Sequence, residues 1–314
     1  MNYDEFLEYW HSGEPYMEAH TSGSTGTPKV IRLLKDDMKA SARATNTFFG
    51  IDSSSLLVCP LSLDYIAGKM MAVRALEAGC RIVFVEPSNA PALPESVAID
   101  LLPVVPSQLE FLMHQPSVLA RVRNLLIGGA APSEADCSAL GSVGVRAYIS
   151  YGMTETCSHV ALALASDPER VYHAMPDISF SADSAGRLRV IAPAFSFGIL
   201  QTNDIVDLLD ANSFRWLGRA DNVINSGGIK LFAERLEAMY ATVMGGIPFY
   251  VTACADSKWG QAVCLVAETD TATLNILAAQ LAQRISNHRM LPKYYRAVTA
   301  IPRTSTGKIK RIPV

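Results

Sequence analysis

The residues best suited to chemistry begin with a short polar run, Thr21-Ser22-Gly23-Ser24-Thr25-Gly26-Thr27-Pro28-Lys29. Its first seven residues are all Gly, Ser or Thr. Glycine lets a backbone turn freely and approach a ligand closely. Successive N–H groups, with hydroxyls among them, form a concave nest for an anion, and Lys29 adds a point charge. The expected role is a phosphate-holding loop, although the Walker spacing Gly-x-x-x-x-Gly-Lys-Ser/Thr is absent. Composition alone would equally describe a flexible polar linker, so the rest of the chain has to decide. A second basic loop, Pro302-Arg303-Thr304-Ser305-Thr306-Gly307-Lys308-Ile309-Lys310-Arg311, lies near the end. Between the two stands Tyr151-Gly152-Met153-Thr154-Glu155-Thr156, and farther upstream two cations, Lys69 and Arg74, are embedded among Met70, Met71, Ala72 and Val73. A cation in an otherwise apolar helix calls for a partner.

The elements that must position these residues are read from periodicity and punctuation. Residues 2–10 and 35–48 read as helices, the second carrying Lys35, Asp36, Asp37 and Lys39. Leu56–Cys59 is a strand stopped by Pro60, and Ile66–Ala78 is a helix closed by Gly79. Strands at Arg81–Val85, Leu101–Val105, Asn124–Ile127 and Val145–Ile149 then alternate with helices at Ser107–His114 and Ser133–Leu140, a pattern that predicts a parallel α/β sheet. Ligands of such sheets sit beyond the carboxyl ends of the strands. Residues 187–217 read as short strands of a small β subdomain. Glu234–Tyr240, Phe249–Cys254, Val263–Ala267 and a helix from Thr273 to His288, with Leu274, Leu277, Leu281 and Ile285 on one face, read as a compact α+β unit. The expected fold is an α/β large domain with a parallel sheet and small β subdomain, over residues 1–218, followed by a small α+β C-terminal domain over residues 219–314.

A chain of 314 residues with 49% hydrophobic residues and 18% charged ones suits two core-forming domains. The net charge of −3 gives no electrostatic footprint for nucleic acid or an anionic membrane. No uninterrupted apolar run reaches about 18 residues, so no membrane span is expected. The start lacks a signal-peptide pattern. Six cysteines without a Cys-x-x-Cys pair point to reduced, mostly buried thiols in a cytoplasmic protein, and no cluster has zinc-site spacing. Homo-oligomer formation is left open.

Taken in order, five stretches resemble the adenylate-forming superfamily of acyl-CoA synthetases, luciferases and adenylation domains. They are Thr21–Lys29, Tyr151–Thr156, Gln201-Thr202-Asn203-Asp204, Gly218-Arg219-Ala220-Asp221-Asn222 with Ser226-Gly227-Gly228, and Arg303–Lys308. Any one is weak; all five in this order are specific, and the resemblance runs from about residue 20 to the end of the chain. Most members carry a long segment before the Gly/Ser/Thr loop, where this chain has twenty residues. The resemblance implies ATP, Mg2+ and coenzyme A as cofactors: a carboxylate attacks the α-phosphate of ATP, and a thiol then takes the acyl group from the adenylate.

By this resemblance Thr21, Ser22, Gly23, Ser24, Thr25, Gly26 and Lys29 hold phosphate, and Lys308 reaches the carboxylate and α-phosphate during adenylation. Thr154 supplies a phosphate-binding hydroxyl and Glu155 a magnesium ligand, which suits an ion satisfied by one or two carboxylates plus phosphate oxygens. Tyr151, with Gly152 and Met153, packs on adenine; Gly128, Gly129 and Ala130 wall the same pocket. Asp204 accepts from both ribose hydroxyls and Arg219 makes a second ribose contact. Asn203 stands where the family usually has Gly, and Asn tolerates left-handed backbone. Asp221 resembles the hinge of the lid, and Gly227 and Gly228 the glycines that let the pantetheine arm pass.

The segment Gly68–Gly79 resembles the o-succinylbenzoate–CoA ligase branch of menaquinone biosynthesis, including an arginine in the acyl pocket. A substrate with two carboxylates leaves one free for a cation, and Arg74 suits it by forked hydrogen bonds with Lys69 nearby as a point charge. Ser158 and His159 are expected to line the same pocket. The competing readings are a ligase for another aromatic or dicarboxylic acid, a non-catalytic nucleotide-binding module, and an adenylation domain that loads a carrier protein supplied in trans.

Overall fold

The structure is a computed structural model that describes residues 1–20, 30–303 and 309–312. The chain opens with helix α1 (Tyr3–His11), started by a capping box in which Asn2 Oδ1 accepts from the Glu5 N–H at 2.9 Å and Glu5 returns the contact to the Asn2 N–H. Phe6 and Trp10, four apart, bury its inner face. Strands β1 (Tyr16–His20) and β2 (Val30–Leu34) pair antiparallel from Tyr16↔Leu34 to His20↔Val30. In sequence the stretch Thr21–Lys29 stands between these two strands, and its residues lie outside the described ones. Helix α2 (Lys35–Phe49) follows directly and stops at Gly50, which is left-handed at φ 64°. The buried Lys35 ammonium reaches back to the Tyr9 carbonyl at 2.9 Å and the Ser12 carbonyl at 3.2 Å. A cation at the carbonyl end of α1 satisfies acceptors that the helix itself cannot.

Strand β3 (Leu56–Cys59), helix α3 (Ile66–Ala78) and strand β4 (Arg81–Phe84) make a parallel crossover unit. Helix α3 is buried on every side from Gly68 to Ala75, which accounts for its nearly continuous apolar run. A Cβ on Gly68 would stand 2.2 Å from the Ser62 carbonyl oxygen, so only glycine lets α3 lie this close to the preceding loop. Strand β5 (Leu102–Val104), helices α4 (Pro106–Met113) and α5 (Pro116–Leu119), strand β6 (Asn124–Ile127), helix α6 (Glu134–Val143) and strand β7 (Arg146–Met153) continue the alternation. β5, β6 and β7 are parallel neighbours. A parallel bridge at Leu57↔Leu101 ties β3 to the same edge.

Beyond β7 the sheet turns antiparallel. Strands β8 (Ser158–Leu164), β9 (Val171–Ala174), β10 (Ser179–Ala182), β11 (Arg187–Ala192), β12 (Gly198–Asp210) and β13 (Ser213–Arg219) extend it to nine strands in the order β10-β11-β12-β13-β9-β8-β7-β6-β5. The β-rich part expected at 187–217 thus starts earlier, at Ser158, and is hydrogen-bonded to the parallel strands. The reason is visible in β8, whose Val160–Ala163 are buried throughout: a short apolar run covered on both faces carries no alternation to mark it.

The C-terminal unit has its own core. Strands β14 (Val223–Ser226), β15 (Ile229–Phe232), β16 (Phe249–Asp256), β17 (Gly260–Glu268) and β18 (Tyr294–Val298) form a five-stranded sheet under helices α7 (Ala233–Met244) and α8 (Thr271–Arg284). Leu236, Tyr240, Leu274, Leu277 and Leu281 pack against Val251, Val263 and Leu265. Ile285 is buried with them but lies just past the helix, which is capped by Asp270, begins at Thr271 and ends earlier than its apolar stripe suggested. Among the described residues no helix is long and apolar enough to cross a membrane.

Glu237 on α7 accepts from the Val251 N–H at 2.7 Å and from Arg311 at 2.7 Å. Burial pushes its carboxyl up to about 7, against the pull of Arg311 and the Val251 N–H. A carboxyl raised above its unfolded value contributes stability below the ordinary carboxylate range and loses it as pH rises through 7. Thermal unfolding is therefore expected to fall in temperature from pH 5 to pH 8. Glu237→Gln should flatten that slope, and a slope unchanged by the substitution would exclude Glu237 as its source.

Candidate active site

The carboxyl end of β7 carries Tyr151, Gly152 and Met153. The Tyr151 hydroxyl donates to Asp204 Oδ2 at 2.7 Å, Trp216 Nε1 donates to Asp204 Oδ1 at 3.2 Å, and Arg219 Nη1 stands 3.8 Å from the same oxygen. Asp204 and Arg219 are cross-strand partners in β12 and β13. In a flat sheet β7 and β12 would be roughly 19 Å apart, four strand spacings of about 4.8 Å. The direct Tyr151–Asp204 hydrogen bond shows that the antiparallel half curls back over the end of β7. Register shifts within β12 and β13, and between β7 and β8, accompany the curl. Burial, then the Asp204 charge, push the Tyr151 phenol well above its ordinary range, so it is a neutral donor. The Tyr151 ring packs edge-on against Tyr172 and Phe214, with centroids at 5.8 and 5.1 Å. A carboxylate has about four acceptor positions, so Asp204 keeps capacity for a ligand hydroxyl beside its protein partners.

Gly129 and Ala130 follow β6 at the neighbouring strand end and are exposed; Gly129 has φ 83°. Thr154, Glu155 and Thr156 form a single 3-10 turn directly after β7. Glu155 is exposed, whereas Thr156 is fully buried with its hydroxyl 2.7 Å from the Ser158 carbonyl oxygen. Cys157 and Ser158 then hold φ of 59° and 138°, values that side-chain-bearing residues adopt only when their surroundings force them. The forcing neighbour is β7: a Cβ on Gly152 would meet the Ser158 carbonyl oxygen at 2.0 Å and His159 Cα at 2.5 Å. Gly152→Ala would have to part the two strands. Overpacking of this kind costs about 1–3 kcal/mol, so a lower unfolding temperature is expected; unchanged stability would contradict the close approach.

The tight turn delivers Ser158 and His159 to helix α3. Arg74 Nη2 donates to Ser158 Oγ at 2.7 Å, and Arg74 Nη1 lies 3.4 Å from Met71 Sδ. Its Nε is buried without a partner, the residue is only 2% exposed, and among the described residues no carboxylate pairs with it. Burial brings the guanidinium down to about 10, which still leaves it charged at neutral pH. His159 is buried beside it, 3.4 Å from Ser158 Oγ through Nδ1 and 3.2 Å from Thr45 Oγ1 through Nε2. Burial and then the Arg74 charge hold the imidazole well below its ordinary range, so it is neutral.

Lys69 does not join this group. Five residues on a helix with 3.6 per turn separate two side chains by about 140°. Lys69 accordingly points away, donating to the Leu63 carbonyl near Asp64. The expectation that it lies beside Arg74 is corrected by this geometry. Asn203 is likewise not left-handed: it lies in β12, and its Nδ2 donates to Asp221 Oδ2 at 2.6 Å. Asp221 occupies the 3-10 turn Ala220–Asn222 between β13 and β14, with Arg219 Nη2 at 3.5 Å. Asn222 Nδ2 donates to Glu234 Oε1 at 2.5 Å. Gly227 and Gly228 form the left-handed turn of the next hairpin, and a Cβ on Gly227 would enter the Trp259 ring at 2.3 Å. Thr21, Ser22, Gly23, Ser24, Thr25, Gly26, Lys29 and Lys308 lie outside the described residues. The flanks of the second loop are joined by an antiparallel bridge, Arg303↔Ile309.

Three participants were not singled out from sequence. Trp216 could have been found as the tryptophan three residues upstream of Arg219. Thr45 belongs to a polar series, Asp37, Ser41 and Thr45, repeating every four residues on the buried side of α2, the spacing of one helix face. Trp259 carried no signal until the fold placed it over Gly227.

The fold is an α/β sheet in which Tyr151, at the carboxyl end of β7, meets Asp204, Trp216 and Arg219 on a curled antiparallel extension of the same sheet. A family model described as AMP-binding enzyme matches residues 7–186, more than half of the chain, and the chain belongs to that family. It is 27% identical to a 2-succinylbenzoate–CoA ligase of Staphylococcus aureus (strain MRSA252), over 93% of this chain and 65% of that protein. The chain thus spans 65% of the length of that curated relative. Among solved structures, an acyl-CoA synthetase (AMP-forming)/AMP-acid ligase II-like protein of Dyadobacter fermentans DSM 18053 is 34% identical, with 98% of this chain and 91% of that chain covered at a TM-score of 0.65. The o-succinylbenzoate CoA synthetase of Bacillus subtilis in complex with its acyl-adenylate intermediate is 20% identical, with 94% and 67% covered and a TM-score of 0.80, and that likeness speaks to the fold.

Proposed function

We propose that this chain is an AMP-forming acid–CoA ligase acting on a dicarboxylic aromatic acid, with o-succinylbenzoate as the substrate that fits best. The observation that carries the substrate class is the buried guanidinium of Arg74, which has an unpartnered Nε and no carboxylate among the described residues. An uncompensated buried cation is costly unless a ligand anion completes it. The similarity to 2-succinylbenzoate–CoA ligases supports the same class.

In the first step an oxygen of the acid's reacting carboxylate bonds to the α-phosphorus of ATP, the bond to the β,γ-diphosphate breaks, and pyrophosphate leaves. In the second the sulfur of coenzyme A bonds to the acyl carbon and AMP leaves. Two anions meet in the first step, so charge stabilisation dominates. Lys308 and Lys29 supply positive charge, and the Gly/Ser/Thr loop supplies N–H and hydroxyl donors. Asp204 and Arg219 hold the ribose, and Tyr151 orients Asp204 by its hydrogen bond. Mg2+, when bound, neutralises phosphate charge. The exposed carboxylate of Glu155 beside the Thr154 hydroxyl suits an ion that takes few protein ligands and completes its shell with phosphate and water. Asp221 is the hinge between a unit of residues 1–218 and a lid of residues 219–314. Gly227, Gly228 and the Trp259 ring line the path of the pantetheine arm. Asp221→Pro fixes φ at the hinge and should slow one half-reaction more than the other; equal slowing of both would exclude Asp221 as hinge.

Acid-dependent exchange of pyrophosphate into ATP in the presence of Mg2+ tests the reading. Exchange driven by o-succinylbenzoate, and not by benzoate, is the expected result. Nucleotide binding without exchange by any acid would leave a binding module instead.

A further inference from the structure

Thr45 is fully buried on α2, one turn beyond Ser41. Its Oγ1 lies 2.9 Å from the Ser41 carbonyl oxygen and 3.2 Å from His159 Nε2. A carbonyl oxygen only accepts, so the shorter contact takes the single Thr45 hydroxyl proton and leaves Oγ1 an acceptor towards the ring. His159 Nε2 is then the protonated nitrogen. A neutral imidazole with one N–H has its other nitrogen free to accept, and Nδ1, 3.4 Å from Ser158 Oγ, receives the Ser158 hydroxyl proton. Ser158 Oγ accepts from Arg74 Nη2 at 2.7 Å. Every hydrogen bond in the series Arg74, Ser158, His159, Thr45, Ser41 therefore runs in one direction, from a cation at one end to a helix carbonyl at the other.

We infer that Thr45 is a positioning residue that sets the specificity of the acid site: by holding His159 as the Nε2–H tautomer, it keeps the Ser158 hydroxyl proton directed at Nδ1 of the ring and leaves Arg74 as the donor for the acid's second group. The inference rests on the acid-site reading given above. A site whose donor is a charged guanidinium strongly prefers a carboxylate over a neutral carbonyl, because hydrogen bonds between ions are about twice as strong as neutral ones. With the opposite tautomer, Nδ1–H would donate to Ser158 Oγ, and the Ser158 hydroxyl proton would be released towards the ligand. A neutral hydroxyl donor serves an amide carbonyl nearly as well as a carboxylate, so discrimination would fall. The ring is held neutral in either form by its burial and by the neighbouring positive charge of Arg74.

Thr45→Val removes the hydroxyl at nearly constant shape and leaves Nε2 facing methyl groups. The proton is expected to move to Nδ1, where Ser158 accepts it. The experiment pairs nitrogen NMR of the His159 side chain with steady-state kinetics on o-succinylbenzoate and on its analogue whose non-activated carboxylate is a carboxamide. Wild type is expected to show unprotonated Nδ1 and to prefer the diacid. Thr45→Val is expected to show protonated Nδ1 and a preference reduced about ten-fold, the worth of one net hydrogen bond, mainly through KM. Thr45→Ser should restore both. Protonated Nδ1 in wild type overturns the inference even if the valine variant does not fold, as does an unchanged preference in a valine variant whose tautomer has switched. A wild type that uses neither acid, with Nε2–H in place, overturns the acid-site reading and the specificity role with it; a wild type that uses the diacid with Nδ1–H overturns the role of Thr45 alone.

Discussion

Arg74→Ala is expected to raise the KM for o-succinylbenzoate by about 10- to 150-fold, the equivalent of the roughly 1.5–3 kcal/mol carried by a hydrogen bond to a charged group. The expectation follows from where the guanidinium sits. It is almost wholly removed from water, its neighbours are a serine hydroxyl, a methionine sulfur and a neutral histidine, and one of its N–H groups meets nothing. A residue kept only for stability would not be a cation in such a place. Replacing a buried ion with an apolar side chain of similar volume is often neutral or stabilising. Arg74→Met should therefore weaken use of the diacid while the ligand-free protein melts no lower than wild type. Loss of stability together with an unchanged KM would mean that Arg74 is structural.

Lys308→Ala is expected to slow adenylation by about 10²–10³-fold, the usual cost of deleting one group that stabilises charge in a transition state. Formation of the thioester from a supplied acyl-adenylate should be nearly unaffected, because that half-reaction no longer brings a carboxylate up to a triphosphate. Single-turnover measurements of the two halves separate the outcomes, and equal loss in both would remove Lys308 from the first step.

Much of this was legible in the sequence because the relevant signals are local. Gly79 marks the end of α3 since a left-handed residue closes the helix, and the structure has it at φ 65°. The strands β3, β6 and β7 announce themselves as short apolar runs between turn residues, and the α+β unit after Arg219 by its own amphipathic helix. What was not legible depends on distance in space. β8 is buried on both faces and carries no alternation. The curl that sets Tyr151 on Asp204 arises from register shifts spread over several strands. The separation of Lys69 from Arg74 is a matter of helical phase that residue spacing does contain, whereas the pairing of Thr45 with His159 across 114 positions has no local signature. The four-residue spacing of Asp37, Ser41 and Thr45 marks one face of α2 but does not name the partner across the fold.

The most direct test of the central claim is CoA- and Mg-ATP-dependent thioester formation with o-succinylbenzoate, beside benzoate, a cinnamate and a medium-chain fatty acid. Turnover on the diacid alone, lost selectively in Arg74→Ala, is the expected result. Turnover on a monocarboxylic acid that is indifferent to Arg74 would contradict it.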